Sequence, residues 1–138
     1  MGKTSTKEAL AAALAAQGKT ASTKGNLNNQ WGLPLSLARM APDSAYGVFE
    51  LGMNHAGEIS TLMAIAEPDV RVWTNVGDAH LGFFASPDAI ADAKAEILER
   101  AKLLVLNYPN SPTGKVATRE FFTQVVDFAR RHELVVVQ

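Results

Sequence analysis

YGVFELGMNHAGEISTLMAIAEPDVRVWTNV, residues 46–76, holds the alternation that decides the fold. Tyr46 to Leu51 is an apolar run that reads as a buried strand ending in an acid, Glu50. Glu58 to Ala66 has helical periodicity and is closed by Pro68, which disfavours helical geometry in the residue before it. Val70 to Val76 is the next apolar strand. Strand, helix, strand in this order predicts parallel strands joined by a crossover helix.

The same alternation continues on both sides. Downstream, Ser86, Pro87 and Asp88 supply an N-cap, a first-turn proline and a first-turn acid for a helix running to about Ala101. Leu103 to Leu106 is a third strand. After the turn-rich stretch from Tyr108 to Lys115 comes a helix that turns Phe121, Phe122, Val125, Val126 and Ala129 to the core, then a final strand, Leu134 to Val137. Upstream, the Ala-rich run Ala9 to Ala16 has high helix propensity. That helix is expected to start after Thr4, with Ser5 and Glu8 as a capping box, and to end where Gly18 takes the left-handed position. Ser22 to Gln30 reads as an ordered polar loop, followed by a Gly32/Pro34 turn and a short helix from Leu35 to Met40. The sum is one α/β domain over residues 1–138: three layers, a mostly parallel sheet with helices on both faces. In such sheets ligands bind beyond the C-terminal strand ends, so Glu50, Asn75 with His80, and Asn107 are expected to line one rim.

Composition bounds the function. The 138 residues carry 13 Lys+Arg against 14 Asp+Glu, a formal net charge of −1, with 47% hydrophobic and 20% charged residues. Near-neutral charge without a basic block removes the footprint of a nucleic-acid binder. No apolar stretch nears the roughly 20 residues of a membrane span. With no cysteine, disulfides, thiolate metal sites and cysteine nucleophiles are excluded. Met1 to Lys7 is polar and lacks the apolar segment of a secretory signal, so a cytoplasmic protein is expected.

Three constellations carry chemistry. Gly2, Lys3, Thr4 and Ser5 lead straight into a helix, like the last half of a phosphate-binding loop in which helix N–H groups cradle phosphates, Lys neutralises them and the following hydroxyl binds Mg²⁺; the plain alternative is an ordinary polar helix start. Lys94 shares a helix face with Ile90, Ile97, Leu98 and Ala101, so its ammonium either snorkels, toward Glu96 for instance, or is aimed at the ligand rim. Glu50, His55 and His80 have the donor types of a divalent-cation site, or serve as caps and loop hydrogen bonds.

In order, GKTSTKEALAAALAAQGKT, GNLNNQWGLPLSL, FELGMNHAGEI, TNVGDAHL and AKAEIL make residues 2 to about 101 resemble the central ATP-binding domain of the Mur ligases, in the branch that adds D-alanyl-D-alanine. That family phosphorylates a peptide carboxylate with ATP and lets an amine attack the acyl phosphate. The resemblance implies a P-loop-like, Rossmann-like fold in which Gly2, Lys3, Thr4 and Ser5 are the remnant of the phosphate loop and Thr4 and Glu50 bind a first Mg²⁺. It makes His80 a ligand of a second and Lys94 the lysine that CO₂ carbamoylates into a metal ligand. Asn26, Asn28 and Asn29 match the segment facing the UDP-sugar-peptide substrate. Gly82 and Phe83 stand where the family has an acid and a glycine. The first strand of the fold and the two flanking domains find no counterpart, so the whole ligase is not expected.

LLVLNYPNSPTGKVATREFFTQVVDFARRHELVVVQ, residues 103–138, is similar instead to a strand, turn, helix and strand of fold-type I pyridoxal-phosphate aminotransferases. Ser111 replaces their usual cofactor-contacting Asn and the Schiff-base lysine has no match, so pyridoxal phosphate is not expected; the plain alternative is an ordinary helical crossover. The favoured reading is therefore an engineered chimera, residues 1–102 joined to 103–138 near Ala101 to Leu106, a scaffold without intact catalysis that requires no cofactor. The alternative is a residual Mg-ATP-binding module or ATPase/ligase fragment. The final strand is expected to take the Mur ligase fold's own next position or to fill the vacated first one, the latter bringing Gln138 near Met1, in a monomer or a strand-exchanged homodimer. Lys3→Ala and Glu50→Ala are expected to leave folding nearly unchanged.

Overall fold

The computed structural model of the chain describes residues 2–74, 86–106, 108, 114 and 116–137. They form two compact units, Met1–Ile97 and Leu98–Gln138. The first contains α1 (Lys3–Ala15), β1 (Thr20–Ser22), α2 (Gly32–Ala38), β2 (Tyr46–Val48), α3 (Glu58–Ala66) and α4 (Pro87–Ala95), the last running into a 3₁₀ turn at Glu96–Leu98. The second contains β3 (Leu103–Val105), α5 (Arg119–Arg131) and β4 (Val135–Val137).

Parallel pairing with helical crossovers is present in both units. β1 pairs with β2 (Thr20 opposite Tyr46, Ser22 opposite Val48), with α2 between them in the chain. β3 pairs with β4 (Leu103 opposite Val135, Val105 opposite Val137), with α5 between. The expected single sheet is thus found, among the described residues, as two separate two-stranded sheets. Among the described residues of the strand expected from Val70 to Val76, residues 71–74 enter no ladder and Val70 is 80% exposed; residues 75–76 lie outside the described residues. β4 lies beside β3; the Gln138–Met1 approach falls outside the described residues, as do Asn75, Asn107 and Ser111.

The core of the first unit explains its helices. Ile59, Leu62 and Met63 recur at helical spacing on α3 and pack with Leu33 of α2, Ile90 and Ala93 of α4, and Met53. Leu33 and Ile90 are fully buried. Gly32, beside Leu33, is required by close approach, since a Cβ there would stand 2.4 Å from the Cα of Leu27. α3 has the expected bounds. α4 has the expected cap, Ser86 Oγ accepting from Ala89 N–H at 3.1 Å, but stops well short of Ala101. There the chain turns to deliver Glu96 to the start of α3, where its carboxylate accepts the N–H groups of Gly57 (2.6 Å) and Ser60 (3.0 Å) and the Ser60 hydroxyl (3.2 Å).

α1 departs from expectation at both ends. No side chain caps it, because Glu8 pairs with Lys7 Nζ at 2.7 Å instead of closing a box with Ser5. It ends at Ala15 with right-handed Ala16, and the N–H groups of Gln17 and Gly18 both reach the Leu14 carbonyl. Gly18 is not left-handed; its missing side chain admits Ala45, whose Cβ would lie 2.9 Å from a Cβ at that position.

In the second unit Thr118 Oγ1 caps α5 by accepting from Phe121 N–H at 3.2 Å. Tyr108 meets Phe121 and Phe122 edge-on, with ring centroids 5.3 and 6.2 Å apart. Leu104 and Val136 are half-buried while Leu103, Val105, Val135 and Val137 point outward and are exposed, so this sheet is not covered on both faces in the way the sequence pattern suggests. No helix among the described residues is long and apolar enough to cross a membrane.

Candidate functional site

Gly2, at φ +92°, starts α1 from the left-handed region, a conformation open to glycine at little steric cost. The uncapped helix end behind it carries the positive end of the helix dipole, and Lys3 adds a full charge to it, which together favour an anion. Lys3 Nζ donates to the Leu51 carbonyl at 3.2 Å, which places the ammonium over the segment that follows β2.

That segment supplies Glu50, only 8% exposed. Thr4 Oγ1 donates to its Oε2 at 2.8 Å, Asn28 Nδ2 donates to its Oε1 at 2.9 Å, and its own N–H donates to Thr23 Oγ1 at 3.0 Å. Three segments distant in sequence therefore converge on one carboxylate-bearing residue. Asn28 is seated by its backbone as well, its carbonyl accepting Gly52 N–H at 2.7 Å. A Cβ on Gly52 would stand 2.9 Å from Cγ and Oδ1 of Asn28. Gly52→Ala should consequently push the amide off Glu50 and lower stability by about 1–2 kcal/mol, the scale of a strained contact and a broken hydrogen bond to a charged group. In an Asn28→Ala background, where the obstructing atoms are gone, the same change should cost measurably less in urea denaturation; equal costs in both backgrounds would refute the coupling.

The donor set fits a hard divalent cation. Two oxygens 2.8 Å apart, on Thr4 and Glu50, span about the edge of an octahedron whose metal–oxygen distance is about 2.0–2.1 Å, the geometry of Mg²⁺. Among the described residues no three His, Cys, Asp or Glu side chains gather; Mg²⁺ is commonly held by one or two protein groups, with water and phosphate completing its shell. His80 lies outside the described residues. His55 does not join Glu50: its Nδ1 is 3.3 Å from Glu58 Oε1, while Glu58 Oε2 accepts the N–H groups of Asn54 and His55. The Asn54 bond lowers the Glu58 carboxyl from its ordinary pKa; desolvation, next in size, opposes it, and the backbone and side-chain bonds of His55 add to the lowering.

Lys94 is half-buried on α4. Desolvation, and secondly the positive charge of Lys3, lower the pKa of its ammonium. Glu96, the partner expected for a snorkelling Lys94, is engaged at α3. Of the three asparagines, Asn28 alone binds Glu50; Asn29 Oδ1 accepts the N–H groups of Trp31 (3.1 Å) and Gly32 (2.9 Å) at the start of α2, and the Asn26 carbonyl accepts Asn28 N–H at 2.8 Å. Beside them opens a cavity of about 650 Å³ whose lining includes Lys3, Asn28, Asn29, Trp31 and Glu58.

Lys7, Thr23 and Gly52 are not singled out by the sequence pattern, and Glu96 is named there only as a partner for Lys94. Only Lys7 carries a signal there, its position three residues after Thr4 on one helix face.

Comparison with known proteins adds an independent line. Residues 1–135 match the family model described as Mur ligase middle domain. Over 119 residues the chain is 44% identical to the UDP-N-acetylmuramoyl-tripeptide--D-alanyl-D-alanine ligase of Rickettsia prowazekii (strain Madrid E), covering 84% of this chain and 26% of that protein. A crystal structure of MurF from Acinetobacter baumannii matches 99% of this chain and 29% of its own with a TM-score of 0.78 at 34% identity. That of the MurF ligase from Thermotoga maritima in complex with ADP matches 98% and 30% with a TM-score of 0.75 at 30% identity. The chain thus spans about a quarter of the length of the curated relative.

Proposed function

The chain belongs to the Mur ligase family, through that family's middle domain, and from this premise we propose that it is the part of an ATP-dependent peptidoglycan-precursor ligase that holds the nucleotide phosphates and Mg²⁺. The observation that carries the reading is the 2.8 Å meeting of Thr4 and Glu50 at an uncapped helix N-terminus beside Lys3. The first-turn amides of α1 and the Lys3 ammonium bind phosphate oxygens; Thr4 and Glu50 hold the cation. A bound Mg²⁺ would neutralise phosphate charge at this site. Asn28 orients Glu50. His80 is assigned to a second Mg²⁺, and Lys94, whose depressed pKa enlarges the neutral-amine fraction that reacts with CO₂, to carbamoylation. Asn26 and Asn29 are assigned to the substrate side of the loop. A cytoplasmic setting suits a nucleotide-dependent activity.

The family match runs through residues 101–106, and the Acinetobacter structure covers 99% of the chain. Both support a single-family Mur ligase module over a chimera joined at that point. They lend nothing to an aminotransferase origin for residues 103–138.

The test is calorimetric titration with ATP and Mg²⁺. Lys3→Ala should weaken binding at least about tenfold, the worth of a charge-assisted phosphate contact. The melting temperature should stay unchanged, because Lys3 contributes to the fold through an exposed hydrogen bond to the Leu51 carbonyl. Equal binding by wild type and Lys3→Ala would overturn the site.

A further inference from the structure

Lys7 is a lysine only 4% exposed for which phosphate and cation binding give no role. An ammonium is costly to bury, and an apolar side chain of the same length would fill the space without that cost. Its contacts indicate what the charge does. Nζ donates to the Thr23 carbonyl at 2.6 Å and pairs with Glu8 at 2.7 Å. Thr23 follows β1, is 1% exposed, and donates its N–H to the Val48 carbonyl of β2 at 3.1 Å. Its hydroxyl accepts the Glu50 N–H at 3.0 Å. Thr4 and Lys7, one turn apart on α1, therefore both reach Glu50: Thr4 directly at the carboxylate, Lys7 through Thr23 at the backbone. The circuit closes on itself, so the spacing between the Thr4 hydroxyl and the Glu50 carboxylate depends on the Lys7–Thr23 tether.

We infer that Lys7 and Thr23 are positioning residues that set Glu50 against Thr4 for the divalent cation, an inference that rests on the cation site proposed above. Partners that orient a metal ligand without touching the metal typically cost about 10–100-fold in metal affinity when removed.

The experiment measures ADP affinity of the 138-residue chain with and without Mg²⁺, the readout being the factor by which Mg²⁺ tightens binding. Thr23→Val, which removes only the hydroxyl, and Lys7→Met, which keeps the stem, should each reduce that factor about tenfold or more, while Mg²⁺-free ADP affinity stays within about twofold because the helix N-terminus and Lys3 remain. Thr23→Ser should restore it. A merely structural role would lower both affinities together. No Mg²⁺ dependence in the wild type would remove the cation site and this inference with it; wild-type dependence preserved in folded Thr23→Val and Lys7→Met would overturn this inference alone. If neither variant melts cooperatively, hydrogen exchange at the Glu50 amide of the wild type decides, because Mg²⁺ with ADP should slow it through the Thr23 bond, and an unchanged rate would overturn the assignment.

Discussion

Gly32→Ala should destabilise the first unit by about 3 kcal/mol, the upper end of the usual cost of overpacking. The added Cβ would meet three backbone atoms of Leu27, its Cα, C and O, at 2.4, 2.5 and 2.8 Å, and no side-chain rotation relieves a clash with main chain. Either α2 retreats, pulling Leu33 from the core, or the loop carrying Leu27 and Asn28 moves and withdraws the amide from Glu50. Both routes cost stability, so the urea midpoint should fall with little change in slope. A loss below about 0.5 kcal/mol, the range of an ordinary surface change, would show that the loop approaches α2 less tightly than this packing requires.

Glu50→Ala should abolish the Mg²⁺ dependence of nucleotide binding and also lower stability by about 2 kcal/mol, because the Thr4 hydroxyl and the Asn28 amide each lose a partly buried acceptor and left-over donors cost about 1–3 kcal/mol. The sequence alone suggests that folding would be nearly unaffected. The burial of Glu50 and the two hydrogen bonds its carboxylate accepts argue against that expectation. Glu50→Gln separates the two effects: its carbonyl oxygen still accepts from Thr4, so part of the stability should return in denaturation, while the missing charge leaves Mg²⁺ dependence absent in calorimetry. Full Mg²⁺ dependence in the glutamine variant would remove Glu50 from the cation site.

What is legible in the sequence is whatever local patterning alone decides. Glu58 to Ala66 folds as its periodicity states, Ser86 starts a helix, a helix follows the turn-rich stretch that ends at Lys115, and the strand–helix–strand order yields parallel pairs. Gly2 to Ser5 and Glu50 can be named as candidates from motif order, and the fold brings Thr4, Glu50 and Asn28 together. What cannot be read depends on contacts between residues far apart. Val70 to Val76 has the composition of a strand, yet its described residues 71–74 enter no ladder. Glu8 has two local options, a cap or a lysine, and the burial of Lys7 selects the second. Thr23 looks like any loop threonine until β1 and β2 pair and set its hydroxyl under the Glu50 amide. Gly18, placed by its type at a left-handed turn, owes its identity to the nearness of Ala45.

Glu96 ties the beginning of α3 to the end of the first unit, a link across 39 residues to Gly57. In the order of synthesis this acceptor comes after α4, so the first turn of α3 is made before the Glu96 carboxylate that binds the Gly57 and Ser60 amides exists.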